Sequence, residues 1–167
     1  MFGLRRAAPG GAQVSPRRIT AGPPFLIRPA RIDDLEAISA IQQAAYGDRW
    51  LDSILFHELS RPDGVAYIGS LGGTRICFAI GVVQADCRHI FDLLAVAPAW
   101  QGEGYGSALV AAMFPSWPCA RRRVTVRVHE RLVGGQLFLR KCGFTCERIL
   151  RGAGVDREDV YEFDRSK

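Results

Sequence analysis

The chain has 167 residues, of which 48% are hydrophobic and 23% are charged. This length and composition are typical of one globular domain with a substantial core, and they exclude a disordered or fibrous protein. The sequence has no apolar run of the roughly 18 residues that a membrane span needs, and residues 1–18 lack the apolar segment of a secretory signal, so we expect a cytoplasmic protein without membrane association.

The formal net charge of +5 is concentrated at the start of the chain. Residues 1–31 contain six arginines and no acidic residue, which leaves a charge of about −1 on the remainder. The proline, glycine and alanine content predicts a disordered basic arm over residues 1–23, followed by one domain over residues 24–167. An organelle transit peptide and a start codon placed upstream of the real domain are the alternatives for this arm. Because the charge lies in the arm, we expect no nucleic-acid partner.

The cysteines indicate a reduced protein without a metal site. Their number is odd, and none shows the paired C-x-x-C spacing of a zinc site or the density of a disulfide scaffold. We interpret them as reduced, small hydrophobic side chains. The five are Cys77, Cys87, Cys119, Cys142 and Cys146.

The hydrophobic period along residues 24–62 predicts one short strand and two helices. An apolar run at residues 25–29 has the length of a strand, and Asp33 or Asp34 then stands where a helix N-cap is expected. Apolar residues recur at helical spacing behind this cap. A second helix is predicted over residues 51–59 and ends before Pro62.

From Gly64 onward the pattern is that of β-strands. Three runs rich in branched and aromatic residues, separated by short turns, predict an antiparallel meander: VAYIGSL, RICFAIGVV and HIFDLLAV. The elements expected after it are a helix at 104–114, a strand at 123–128, a helix at 131–142, and strands at 144–150 and 159–163. This order predicts an α+β fold whose mostly antiparallel mixed sheet has flanking helices and a central βαβ unit.

The stretch QGEGYG, residues 101–106, places three glycines in five positions between a predicted strand and a predicted helix. Backbone N–H groups and the positive end of the helix converge at such a turn, so it predicts a phosphate site, with a merely flexible connection as the alternative. A P-loop would need a lysine after the last glycine. A dinucleotide fingerprint would need a third glycine where Ser107 stands and an acidic residue about 20 positions later. The sequence meets the requirements of neither motif.

Three segments together resemble the GNAT acetyltransferase superfamily. The turn fits its acyl-CoA-binding signature Q/R-x-x-G-x-G/A and follows the lead-in LAVAPAW, VRVHERLVGGQLFLRKCGF resembles its second motif, and REDVYEF resembles its closing strand. The resemblance covers about residues 25–164 and is closest to the ribosomal-protein-alanine N-acetyltransferase type. It implies the GNAT acyl-CoA N-acyltransferase fold, acetyl-CoA as co-substrate, no metal, and a monomer or homodimer.

The resemblance also implies which residues bind acetyl-CoA. Backbone groups of Leu94, Ala95 and Val96 would contact the pantetheine arm and the thioester carbonyl. The turn would wrap the pyrophosphate with backbone groups, so the side chains at its acidic and aromatic positions are expected to be bystanders. The residues of the turn are Gln101, Gly102, Glu103, Gly104, Tyr105, Gly106 and Ser107.

The catalytic residues of the enzymes that the chain resembles do not carry over. Where those enzymes have a glutamate on the strand after the glycine helix, this chain has Arg127, and an asparagine is replaced by Leu132. The tyrosine that protonates the departing thiolate in many of them is replaced by Leu139. The usual general base and general acid are therefore both absent from their positions.

Asp92 is the base that we predict instead. Alternation along a strand would place it on the same face as Leu94 and Val96, and so toward the acceptor amine. Some members of the superfamily that the chain resembles have an acidic residue at this position. The alternatives are a structural pairing of Asp92 with Arg88 or Arg127, and His89 or His129 as the base.

The acceptor is predicted to be a primary amine. A peptide α-amine with a pKa of about 7.7 to 8.0 is partly neutral at pH 7, whereas a lysine side chain at about 10.4 is almost wholly protonated. A protein or peptide N-terminus, attacking directly in a ternary complex, is therefore the first candidate acceptor. A polyamine, amino acid or antibiotic is the second, and a non-catalytic acyl-CoA-binding module is the alternative to any enzyme.

Overall fold

A computed structural model describes residues 23–47, 52–114, 123–154 and 157–166. The predicted basic arm lies outside these residues except for its last position. Within them the helices and strands follow the predicted order: β1 Phe25–Pro29, α1 Leu35–Tyr46, α2 Asp52–Ser60, β2 Gly64–Leu71, β3 Thr74–Val83, β4 His89–Val96, α3 Tyr105–Ala112, β5 Arg123–His129, α4 Val133–Lys141, β6 Thr145–Leu150 and β7 Val160–Ser166.

These strands form one sheet in the order β1-β2-β3-β4-β5-β7-β6. The neighbouring strands are antiparallel except β4 and β5, which are parallel and are connected through α3. This confirms the predicted α+β sheet with its central βαβ unit. The β4–β5 pairing covers only His89 to Phe91, and β4 then continues to Val96. The two parallel strands therefore diverge at the carboxyl end of β4.

Helices cover both faces of the sheet and bury a separate apolar cluster on each. Leu109 and Val110 of α3 and Leu139 of α4 belong to the cluster on one face. Ile38 of α1 and Leu55 of α2 belong to the cluster on the other face. Each such side chain contributes roughly 1.5 to 3 kcal/mol when it is fully buried. No helix in the described part of the chain is both long and apolar enough to cross a membrane.

A β-bulge interrupts the pairing of β3 with β4. Ile80 lies opposite Leu93 and Gly81 lies opposite Phe91, so Asp92 is an extra residue on β4. A Cβ atom on Gly81 would lie 2.1 Å from a backbone oxygen of β4, which explains why this position has no side chain. The bulge shifts the alternation of side chains along β4 at Asp92.

Asp34 stands at the N-cap position of α1, but its carboxylate does not bond to that helix. It accepts hydrogen bonds from both terminal nitrogens of Arg28 at 2.7 Å, from the backbone N–H of Arg31 at 2.9 Å and from Nε of Arg75 at 3.3 Å. The side chain is only 1% exposed. These contacts, chiefly those from Arg28, lower the pKa of Asp34 to about 2 although burial opposes the shift.

Asp34→Asn is expected to lower the free energy of unfolding by about 2 kcal/mol at neutral pH, the equivalent of the pKa difference between the folded and unfolded chain. Because the folded-state pKa is depressed, this contribution is complete above about pH 4 and is lost as the pH falls through about 2. Chemical denaturation at neutral pH and near pH 2.5 measures the change. The exposed neighbour variant Asp33→Asn is the control, and an Asp34→Asn loss that does not shrink at acid pH would contradict the prediction.

Candidate active site

The glycine turn has a left-handed backbone that opens toward empty space. The φ angles are +82° at Gly102 and +94° at Gly104, conformations that glycine adopts without strain. A Cβ atom on either residue would meet no heavy atom within 4 Å. A ligand can therefore approach the backbone of this turn closely.

The start of α3 supplies hydrogen-bond donors beside this open space. The N–H of Ala108 donates to the carbonyl oxygen of Gly104 at 3.1 Å. The N–H groups of Tyr105, Gly106 and Ser107 precede that bond and have no acceptor within the helix. Together with the positive end of the helix dipole they suit the oxygens of a pyrophosphate. The turn fits the acyl-CoA site predicted for it.

Side chains of the turn support its shape. The ring of Tyr105 packs against Phe25 with centroids 4.8 Å apart, and Glu103 is exposed, as expected for two bystanders. A Cβ atom on Gly106 would lie 3.1 Å from the ring of Phe138 on α4. Gly106 therefore allows α3 to pack closely against α4.

Backbone groups of Leu94 and Val96 point toward the edge of β4 that faces β5, at positions where β5 no longer pairs with β4. The N–H of Ala97 donates to the carbonyl of Ile76 on β3 at 2.8 Å. Backbone groups alternate between the two sides of a strand, so those of Ala95 also face β3. Of the three residues predicted to contact pantetheine, Leu94 and Val96 thus present backbone groups at the divergence, and Ala95 does not.

Two side chains hold the backbone carbonyls at this edge. The hydroxyl of Tyr46, at the end of α1, donates to the carbonyl oxygen of Leu94. Burial raises the pKa of Tyr46 to about 12, so the hydroxyl remains a donor. The side-chain amide of Gln101 donates to the carbonyl oxygen of Val96 at 2.9 Å. Gln101 was predicted as a cofactor-binding residue of the glycine turn, whereas Tyr46 was not predicted.

Asp92 lies on the opposite face of the sheet from the one predicted. Leu94 and Val96 pack against the cluster beneath α3 and α4. Asp92 instead lines a cavity together with Ile80 and Leu93, which belong to the cluster beneath α1 and α2. The face predicted from strand alternation was wrong because the bulge inserts one residue at this point.

The cavity has a volume of about 450 Å³ and adjoins the diverging strands. This volume lies within the range of small-molecule sites. Ile80, Leu93 and the turn residues Ala153 and Gly154 form part of its wall. Its titratable side chains come from α2 and the residue that follows it, from β4 and from β5: Glu58, Arg61, Asp92, Arg127 and His129.

Arg127 stands between two carboxylates in this cavity. Its Nη1 atom lies 3.3 Å from Oδ1 of Asp92, and its Nε atom lies 3.0 Å from Oε1 of Glu162. Glu162 is 5% exposed and has a second cation, Arg148, at 3.8 Å. The pairing of Asp92 with Arg127, one of the sequence alternatives, is therefore present. Glu162 was missed, although the pairing of β7 with β5 places it directly opposite Arg127.

The electrostatic surroundings of Asp92 suit a base. Burial raises the pKa of Asp92 and is the largest effect, while Arg127 lowers it and the charges of Glu58 and Glu162 raise it further. The side chain is still 39% exposed, at the cavity. A carboxylate with a raised pKa that remains accessible is a stronger proton acceptor than an ordinary one.

Leu139, which stands in place of the usual tyrosine, provides no general acid near this cavity. Its side chain is 2% exposed and packs in the cluster beneath α3 and α4. Leu132, the replacement for the asparagine, is partly exposed before α4. Within the described ranges no three His, Cys, Asp or Glu side chains converge as metal ligands.

Comparison with known proteins gives a match to one family. The sequence profile of the acetyltransferase (GNAT) domain matches residues 62–146. No curated protein matches the chain significantly in sequence. Among solved structures, the ribosomal-protein-S18-alanine N-acetyltransferase of Escherichia coli has a TM-score of 0.73 at 22% identity, over 85% of this chain and 93% of that one.

Two further structures share the fold. NAA60 of Arabidopsis thaliana, in complex with acetyl-CoA, has a TM-score of 0.70 at 17% identity, over 86% of this chain and 98% of that one. The spermidine/spermine N-acetyltransferase SpeG of Vibrio cholerae has a TM-score of 0.65 at 15% identity, over 85% of this chain and 92% of that one.

The profile match includes the main features of the candidate site. It runs from just before β2 into β6, and so contains the bulge, the glycine turn, β5 and α4. This is slightly more than half of the chain, and the structural likeness extends the same fold over most of the remainder. The chain therefore belongs to the GNAT acetyltransferase domain family.

Proposed function

We propose that this chain transfers the acetyl group of acetyl-CoA to a primary amine, and that the amine is the N-terminus of a protein or peptide. One observation carries the proposal. Where β4 and β5 diverge, Asp92 of β4 lines the cavity, the outward backbone groups of Leu94 and Val96 follow along the same strand, and the open glycine turn comes after the end of that strand. The proposed acceptor and donor sites therefore follow one another along β4.

Backbone donors form the donor side. The N–H groups of Tyr105, Gly106 and Ser107 would hold the pyrophosphate, and those of Leu94 and Val96 would bond to the pantetheine arm and the thioester oxygen. Acetyl-CoA bound there supplies an activated acetyl group on a good leaving group. Fixed backbone donors near the thioester oxygen stabilise the negative charge that develops during acyl transfer. The complex of NAA60 with acetyl-CoA, which has this fold, supports the assignment.

Asp92 is the residue that we assign to the acceptor amine. Its carboxylate attracts an ammonium group, and its raised pKa favours proton uptake. An α-amine needs only modest assistance because its own pKa is about 7.7 to 8.0. Arg127 also pairs with Glu162, so its positive charge is shared between two carboxylates and does not fully neutralise Asp92.

A small cationic amine is the second candidate acceptor. Two carboxylates, Glu58 and Asp92, line a cavity of about 450 Å³, which is large enough for such a molecule. The fold similarity to a spermidine/spermine N-acetyltransferase supports it. A non-catalytic acyl-CoA-binding module is favoured only by the replacements at Arg127 and Leu139.

An amine panel tests the proposal. Thiol release from acetyl-CoA is measured with free-N-terminus peptides, polyamines, amino acids and aminoglycoside antibiotics, and acetylated products are located by mass spectrometry. We expect release with peptides and one acetyl group on the α-amine. The same peptides with a blocked N-terminus and a free lysine are the matched control. Release with polyamines alone would favour the second candidate, and CoA binding without release for any amine would contradict enzymatic function.

A further inference from the structure

His129 is a second potential proton acceptor in the cavity, and its ring is held from two directions. Its Nδ1 atom lies 3.5 Å from Oε2 of Glu158. A Cβ atom on Gly154 would lie 2.8 Å from both Cε1 and Nδ1 of the ring, so the backbone of Gly154 packs directly against this edge. Glu158 is 11% exposed and also pairs with Arg131. The imidazole is therefore confined at its Nδ1 edge.

Backbone hydrogen bonds hold the residues around Glu158 in place. The N–H of Gly154 donates to the carbonyl oxygen of Glu158 at 2.9 Å, and the N–H of Glu130 donates to that of Asp159 at 3.0 Å. The N–H of Gly152 donates to Oδ1 of Asp159 at 3.1 Å. The bond of Glu130 connects the segment before β7 to the end of β5, and the other two bonds close the turn between β6 and β7. Glu158 is thus placed by the backbone next to His129.

A carboxylate beside Nδ1 favours the tautomer that carries its proton on that nitrogen. The lone pair of Nε2 is then available to accept a proton. The side chain of His129 is 42% exposed and lines the cavity. The arrangement of carboxylate, imidazole and substrate space is the one in which imidazole acts as a general base.

The strand geometry places His129 next to Arg127 on the wall of the cavity that Asp92 also lines. Arg127 and His129 are two residues apart on β5 and so share a face, with their Cα atoms roughly 7 Å apart. Asp92 contacts Arg127 at 3.3 Å from the neighbouring strand. An amine that enters the cavity beside Asp92 therefore has His129 on the other side of Arg127.

We infer that Nε2 of His129 accepts a proton from the acceptor amine and that Glu158 is its positioning residue; this rests on the proposed function. An ammonium acceptor loses two protons. Its nitrogen forms a bond to the acetyl carbon, the carbon–sulfur bond breaks, and the sulfur leaves with the electron pair as a thiolate. One proton goes to Asp92 and the other to Nε2 of His129, which releases it to solvent. Imidazole suits this exchange because one of its ring nitrogens can accept a proton while the other keeps its own.

Nitrogen NMR of the imidazole tests the inference without measuring turnover. The native chain is expected to show His129 protonated at Nδ1 and unprotonated at Nε2 at mildly alkaline pH, with the signal assigned by its absence in His129→Gln. Glu158→Gln is expected to weaken this tautomer preference. A native ring that carries its proton on Nε2 would overturn the inference.

Kinetics provide the second test. His129→Ala is expected to lower kcat/KM for the amine about 100-fold, to leave CoA affinity unchanged, and to regain activity when imidazole is added to the solution. His129→Gln, which keeps much of the side-chain volume, should show the same loss. The matched control is His57→Ala, a histidine on α2 that is 73% exposed.

The outcomes separate the two proposals. A native chain that transfers acetyl groups while His129→Ala and His129→Gln retain native kcat/KM would overturn the role of His129 and leave the proposed function standing. A native chain that transfers to no amine would overturn the proposed function and the role of His129 with it.

Discussion

Gly104→Asp is expected to bind acetyl-CoA at least about 100-fold more weakly than the native chain, a change of about 2.7 kcal/mol. The Cβ atom of this residue would point into open space beside the N–H groups at the start of α3. A carboxylate there would face the phosphates that those groups are proposed to bind, and like charges at close range cost several kcal/mol. The φ of +94° would add backbone strain of about 1 to 2 kcal/mol.

The strain and the charge can be separated with a matched glycine. Gly73, in the turn between β2 and β3, has a φ of +88° and likewise has no heavy atom within 4 Å of a Cβ position. Gly73→Asp should therefore show a similar loss of thermal stability and native affinity for CoA. Calorimetric titration with CoA measures both variants. Equal loss of affinity in the two, or native affinity in Gly104→Asp, would show that the turn does not bind phosphate.

Asp92→Asn is expected to lower kcat for amine acetylation about 100-fold or more while CoA affinity stays within about 2-fold of native. The amide cannot accept a proton at neutral pH, but it has nearly the same shape. Glu162 remains to pair with Arg127, so the cavity should keep its structure. Steady-state kinetics with an active amine, combined with CoA titration, measure the two effects separately.

The rate of acetylation is expected to fall at acid pH if Asp92 is the base. Asp92 accepts a proton only when it is ionised, so the rate should fall as the pH drops through its pKa. Burial and the charges of Glu58 and Glu162 raise that pKa against the opposing effect of Arg127, so the acid limb of the profile should lie above about pH 4. The contribution of Asp92 to this limb should be absent in Asp92→Asn.

Asp86→Asn is the control for the loss of one negative charge. Asp86 lies in the turn between β3 and β4, is 66% exposed and is near Arg88. Its variant should retain the native rate and pH profile. If Asp92→Asn retained native kcat, Asp92 would not be the base, and its role would be limited to the ion pair with Arg127.

The element order could be predicted because it follows from local patterns. Helical and strand periods change where Pro62, Gly64 and the glycine turn stand, and the structure has the elements in that order. Asp34 occupies a predicted N-cap position, but its carboxylate bonds to Arg28 and Arg75 rather than to the helix that it precedes. Local spacing could place this residue but could not predict its tertiary partners.

The sequence by itself determined the glycine turn that we propose as the donor side. Glycines at positions 102, 104 and 106 are close in the chain, and the backbone conformation that they permit sets the shape of the turn, so spacing alone carries the information. The GNAT family followed from that turn and from the motifs on either side of it.

Only the tertiary structure decided the acceptor side. Asp92, Arg127 and Glu162 are separated by 35 positions at each step and meet because β5 lies between β4 and β7. One extra residue in the β3–β4 pairing then turned Asp92 to the face opposite the one that alternation predicts. Strand order and register depend on long-range pairing, so no local pattern in the sequence could specify which charged side chains would share the cavity.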